Sequence, residues 1–219
     1  MEGELYHVYN RGIEKRVVFP HTRYYQRFIH ALRLFNTTRP VNLRDFLYTK
    51  SYLTTGVRPL YGKEEQLVDI GAFILMPTHY HLLLRPRIEN GMSLFMKKIG
   101  VGYTAYFNLK QNRSGVLFQG RYKLKHVDKD LYARHIQAYI PLNALDNTVP
   151  LWRENGIGDV RKARKMVMNY PWSSFSSYIG ENRFSGIIDP TFVNDFFNDN
   201  GDYDRFVFSR TASEYDFLI

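Results

Sequence analysis

The chain has 219 residues, 44% of them apolar, which is enough for one well-buried domain with appendages. It contains no cysteine, so disulfides, thiolate metal sites and cysteine nucleophiles are excluded together, and any metal chemistry falls to histidine and oxygen ligands. Thirty Lys and Arg against 21 Asp and Glu give a net charge of +9, which favours a polyanionic partner over an acidic or neutral one.

The charge is unevenly spread. Nine Lys or Arg lie between Lys97 and Arg134 with only Asp128 and Asp130 against them, whereas Glu181 to Ile219 holds eight acids and three bases. No apolar run approaches the roughly 18 residues of a membrane span, and Met-Glu-Gly-Glu lacks the basic and apolar regions of a signal peptide. The expected location is therefore the cytoplasm, in association with the nucleoid, and no membrane partner is expected.

In chain order, Leu5 to Gly12 alternates as a strand that ends at a glycine turn. From Thr22 to Asn36, Tyr25, Phe28, Ile29, Leu32 and Phe35 form one helical stripe, with Thr22 as N-cap. Residues 37–66 carry no strong period and read as an insertion, with a helix over Phe46 to Tyr52 and a polar loop from Gly56 to Gln66. Val68, Ile70, Ala72, Ile74 and Met76 alternate as a second strand, and Pro77-Thr78 breaks it before His79.

A period of two then puts His79 and His81 on one face of a third strand, where both imidazoles can reach one cation, with Tyr80, Leu82 and Leu84 on the other. A pair of hydrogen-bonded histidines with no ion is the competing reading of the same spacing. A helix from about Met92 to Gln111 follows, its stripe running from Phe95 to Phe107, with Gly100 and Gly102 either weakening it or allowing close packing. After it, Arg121, Lys123 and Lys125 alternate against Tyr122, Leu124 and His126. This is either a track for a single-stranded backbone or an exposed edge protected by lysines.

Asp128 is placed to cap a helix from Lys129 to about Ile140, and a basic helix covers Gly158 to Asn169. The apolar clusters Phe192 to Phe197 and Tyr203 to Phe208 suggest a helix pair packed on the main domain. The division expected is a domain over 1–180 and an acidic extension over 181–219, packed on the domain or lying over its basic groove.

Three stretches carry a family resemblance. Leu75 to Arg85, Leu-Met-Pro-Thr-His-Tyr-His-Leu-Leu-Leu-Arg, resembles the His-hydrophobe-His (HUH) motif of the single-tyrosine HUH transposases, in particular the REP-associated tyrosine transposase group. Tyr139-Ile140-Pro141-Leu142-Asn143 resembles their catalytic helix, and Tyr170-Pro171-Trp172-Ser173-Ser174 resembles their C-terminal signature. The resemblance implies an α+β ferredoxin-like sandwich, its antiparallel sheet covered by helices on one face and the histidine strand central.

It implies also that Tyr139, out of 17 tyrosines, is the nucleophile, and that His79, His81 and Asn143 hold Mg²⁺ or Mn²⁺. The family usually has proline directly after this Asn. Here Ala144 stands there and the proline is Pro141, so the helix is expected to kink or end between Tyr139 and Asn143.

The activity implied is cleavage and rejoining of single-stranded or hairpin DNA through a 5′-phosphotyrosine, by a bacterial protein acting as monomer or homodimer. Arg85, Lys97, Lys98, Arg121, Lys123 and Lys125 are the candidate DNA contacts. Two alternatives remain: a domesticated DNA-binding protein without chemistry, and a rolling-circle nickase, although no P-loop pattern accompanies the latter.

Overall fold

The computed structural model describes residues 3–48, 65–146, 148–149, 151–180, 183–184, 186–189 and 191–209. Most of the expected 37–66 insertion, including most of its polar loop, therefore lies outside the described residues, as does the chain beyond 209.

Four strands, β1 (Leu5–Arg11), β2 (Val68–Met76), β3 (His79–Pro86) and β4 (Lys123–Val127), form one antiparallel sheet in the order β2-β3-β1-β4. The histidine strand β3 is internal, paired with β2 on one side and β1 on the other. Its turn is braced from outside: the Gly12 N–H bonds the Thr78 carbonyl, and the Val18 and Phe19 N–H groups share the Pro77 carbonyl. His79 thus emerges from a turn held at both of its residues.

Helices cover both faces of the sheet, not one. On the Tyr80 face, α1 (Thr22–Leu34) and α3 (Gly91–Lys110) bring Phe28 against the Tyr80 ring at 5.0 Å, with Tyr103 edge-on to Phe28. On the His81 face lies α4 (Asp130–Leu142), whose Tyr139 ring stands edge-on to His81. The reason is visible in β3 itself: Leu82, Leu83 and Leu84 are consecutive and all fully buried, which requires apolar cover above and below.

Local signals departed from expectation at several points. The N-cap of α1 is His21 and that of α4 is Lys129, neither with a side-chain cap bond, so Thr22 and Asp128 do not cap. In the insertion, α2 (Leu43–Tyr48) begins three residues before the expected Phe46. The alternation of β2 breaks at Gly71, where the register shifts between Ile70 and Ala72, so that Ile70 pairs with Leu84 but Ala72 with Leu83. A β-carbon on Gly71 would sit 2.0 Å from the Phe192 ring, so the bulge is where the C-terminal segment closes onto the sheet.

The Tyr-Pro-Trp-Ser-Ser stretch has a structural task. Leu75 N–H bonds the Trp172 carbonyl, Ser174 N–H bonds the Phe73 carbonyl, and the Ser174 hydroxyl accepts from Phe73 N–H, so this segment covers the free edge of β2. Trp172 stacks on Tyr25 at 4.6 Å, tying that edge to α1.

After α5 (Trp152–Asn155), α6 (Val160–Asn169) is capped by the Asp159 side chain, and α7 (Phe175–Tyr178) follows. The short α8 (Thr191–Asn194) and α9 (Asn200–Phe208) pack beside α4. Their acids make ion pairs with the body: Asp195 with Arg85, Asp202 with Arg134 and Asp204 with Arg164.

Candidate active site

One cavity of about 450 Å³ opens on the α4 face of the sheet, and β1, β3 and α4 supply its chemistry. Antiparallel pairing sets Tyr9 opposite His81 and Arg11 opposite His79, so four polar side chains of two strands share a face. The ring centroids of His79 and His81 are 5.2 Å apart, at near right angles.

Each imidazole has its Nδ1 engaged: that of His79 lies 3.0 Å from the Thr78 hydroxyl, and that of His81 2.9 Å from Nε2 of His7. Nε2 is left on each ring as the nitrogen available to a cation. Burial lowers the His79 pKa to about 4, with Arg11 adding to the effect and Asp146 opposing it. Burial also holds His81 well below the usual histidine range, reinforced by His7 and His79. For His7, burial and then Lys125 bring the value to about 3. At neutral pH the three rings are therefore uncharged; with Nδ1–H of His79 and of His81 donating, Nε2 of each keeps a lone pair for a cation, while the His7 Nε2 lone pair accepts from His81.

A pH dependence of stability follows. These histidines are neutral when folded but take protons at about pH 6.5 when unfolded, so their contribution is complete above that pH and is lost as pH falls toward 4 and below. The melting temperature is expected to fall steadily between pH 6.5 and 5, above the range in which carboxylates titrate, and His7→Gln should reduce that slope. A flat profile across the window would contradict the burial of neutral rings.

Tyr139 reaches the same cavity from α4. Its ring stands edge-on to His81 at 5.8 Å and to His7 at 6.2 Å. Burial raises the hydroxyl pKa, while the charge of Arg153 and its hydrogen bond to Tyr139 pull it back. The Arg153 guanidinium carbon lies 5.5 Å from the ring centroid.

The helix ends, as expected, between Tyr139 and Asn143. α4 continues to Leu142 and passes into a 3-10 turn, Asn143–Leu145. Pro141 has no N–H to offer the Gln137 carbonyl one turn back, and the Tyr203 hydroxyl of α9 bonds that carbonyl instead, at 3.1 Å. Asn143 finishes the helix by donating Nδ2 to the Tyr139 and Ile140 carbonyls. Asn143 lines the cavity, and its Oδ1 accepts from Arg153 at 2.9 Å.

Arg153 is thus a hub: it bonds Asn143, touches Tyr139 and pairs with Asp146 at 2.6 Å, while the Trp152 indole N–H fixes the same carboxylate. Among the described residues, no third His, Asp or Glu joins His79 and His81 in a group able to hold a metal. A cation there would take two neutral imidazoles and fill its shell from Asn143 Oδ1, water or phosphate oxygen. That all-nitrogen-and-oxygen set fits Mg²⁺ or Mn²⁺.

The six candidate DNA contacts separate. Lys123 lines the cavity, 6.0 Å over the Tyr9 ring, and Lys125 follows on the same strand face, over Tyr132. Lys97 and Arg121 line a different groove, on the Tyr80 face. Arg85 is paired with Asp195 and stacked on Phe192, and Lys98 bonds the carbonyls of Thr37 and Arg39, so neither joins the other four.

Sequence reasoning missed His7, Tyr9, Asp146 and Arg153. The β1 alternation His7, Tyr9, Arg11 held a usable signal, being three functional side chains on one strand face. For Arg153 no local signal exists, since a turn with Leu151 at φ 58° is what returns it to α4.

The family model described as transposase, IS200-like, matches residues 60–143, which include the histidine hairpin, Tyr139 and Asn143. That segment is similar to the IS200-like transposases. The resemblance read from the sequence is therefore borne out. A solved REP-associated tyrosine transposase, in a structure with a REP hairpin bound, is similar in fold, with a TM-score of 0.52 and 16% identity, over 84% of this chain and 83% of that one. That likeness bears out the α+β class. No curated protein matches the chain. Among the described residues no helix is long and apolar enough to cross a membrane.

Proposed function

We propose that the protein is a divalent-metal-dependent transesterase that cuts and rejoins single-stranded DNA beside a hairpin. The observation that carries the reading is the convergence of Tyr139 with His79 and His81 in one cavity, from two elements distant in sequence.

A phosphodiester resists nucleophiles because it is anionic, so the site must neutralise its charge as the attacking oxygen approaches. A bound cation on His79 and His81, with Asn143 as the third ligand, would supply charge neutralisation at a non-bridging oxygen and support for the leaving 3′-oxygen. Tyr139 gives its hydroxyl oxygen to phosphorus. The Tyr139 O–P bond forms, the P–O3′ bond breaks and the phenolic proton is released, leaving a 5′-phosphotyrosine and a 3′-hydroxyl. Because one ester replaces another, the step reverses with a second 3′-hydroxyl and needs no nucleotide. Arg153 holds the Tyr139 hydroxyl and Asn143 Oδ1 in one frame, and Lys123 and Lys125 offer the backbone a cationic track.

The similar protein solved with a REP hairpin supports hairpin DNA as the substrate class. A DNA-binding protein without chemistry would have no need of two neutral imidazoles and a tyrosine in contact. The polarity of the cut tests the reading. A hairpin oligonucleotide with an unpaired flank, incubated with Mn²⁺, should yield a released strand that a polymerase extends from its 3′ end. A product blocked at its 3′ end, or no cut in any divalent cation, would reject it.

A further inference from the structure

A second and larger groove, about 850 Å³, runs between α3 and the segment 116–122 on the opposite face of the sheet from Tyr139. Its walls are mostly apolar, Met96, Leu117 and Phe118 among them, and Val101 and Val116 beside it are 56% and 64% exposed. Among the described residues two cations, Lys97 and Arg121, line it and no carboxylate does. An apolar trough with a cationic lining suits a flat heterocycle attached to a phosphate.

Gly100 keeps the groove open. A β-carbon there would meet nothing within 4 Å, whereas one on Gly102, half a turn on, would lie 2.4 Å from the Phe35 ring. Gly102 therefore has a packing reason and Gly100 has none. A glycine inside a 20-residue helix costs about 1 kcal/mol against alanine, a cost that the fold does not require at this position. The groove also meets the candidate active site. Asn10 borders both cavities, and its Nδ2 bonds the Gly120 carbonyl, fixing the groove's outer wall to the strand that carries Tyr9 and His7.

We propose that this groove takes unpaired nucleobases of the DNA strand that reacts at Tyr139, with Lys97 and Arg121 on the adjoining phosphates and Tyr122 as a stacking surface. This rests on the DNA reading above and adds to it where the strand's bases go. A chain rounding the end of β1 at Asn10 carries its phosphates on the Lys123 side and its bases into the groove. Recognition of the unpaired flank is then physically separate from the chemistry.

Gly100→Leu tests it by filling the groove with a better helix former, so the variant should fold at least as stably as the parent. Binding is read by fluorescence anisotropy with a hairpin carrying an unpaired flank, and with the same hairpin made abasic in that flank. A stacked base contributes about 1–3 kcal/mol, so the parent should bind the abasic probe about tenfold or more weakly. The variant should bind the intact probe about tenfold weaker than the parent and no longer distinguish the two, while each bound strand is still captured covalently. Equal binding by variant and parent would overturn the groove assignment and leave the DNA reading standing. Equal weakening toward a blunt hairpin without a flank would also overturn it. A parent that neither binds nor captures any of these strands would instead overturn the DNA reading.

Discussion

Tyr139→Phe is expected to abolish covalent capture of a single-stranded hairpin, with cleavage down by at least about 10⁴-fold, while affinity stays within about threefold. One oxygen is removed and nothing else need move. The ring that packs against His81 and His7 is kept, and strand affinity comes from Lys123, Lys125 and the groove, not from the phenol. Capture by the Phe variant would require another nucleophile. Tyr103 and Tyr106 are poor candidates, because both are buried in the layer on the other sheet face and the Tyr103 hydroxyl is bonded to the Val18 carbonyl. Tyr9 lines the same cavity and would be the residue to test next.

Removing either imidazole proposed to hold the metal should be nearly as damaging. His79→Ala or His81→Ala is expected to weaken Mn²⁺ binding by more than about 100-fold, read by the paramagnetic signal of the free ion, with cleavage lost in parallel. His81→Ala should be the worse, since it also strips the buried His7 of its hydrogen-bond partner at Nε2. Asn143→Ala should be milder toward the metal, on the order of tenfold, because Asn143 Oδ1 already serves Arg153. Unchanged Mn²⁺ affinity in both histidine variants, or full cleavage in EDTA, would remove the metal from the account.

The parts of the candidate site that were legible in the sequence rest on a local period or on the family motif. The shared face of His79 and His81 follows from the two-residue repeat of a strand, whereas Tyr139 and Asn143 came from the resemblance to the family's helix motif, the four-residue spacing adding only that they share a helix face. The end of the helix between Tyr139 and Asn143 was legible from Pro141, but the tyrosine of α9, 62 positions away, that replaces the missing hydrogen bond was not. His7 was half legible, since its strand face could be read but not its pairing with the face of His81. Arg153 and Asp146 were not legible at all, for their meeting with Asn143 exists only once the chain has turned back after α4.

The same distinction explains the fold. The strand alternation held except at Gly71, where the demand comes from Phe192, more than a hundred residues downstream. Covering helices on both faces could have been inferred from three consecutive leucines, which no one-sided sheet buries. The Trp172–Ser174 cover of β2 could not, since pairing with a distant edge leaves no local pattern.

The most direct test of the central claim is to trap the protein with a hairpin strand in Mn²⁺, digest the adduct and map it by mass spectrometry. The account predicts one modified peptide, with the DNA joined to the Tyr139 oxygen through its 5′ phosphate. DNA on any other residue, a 3′-phosphate linkage, or no adduct under conditions in which the strand is bound would contradict it.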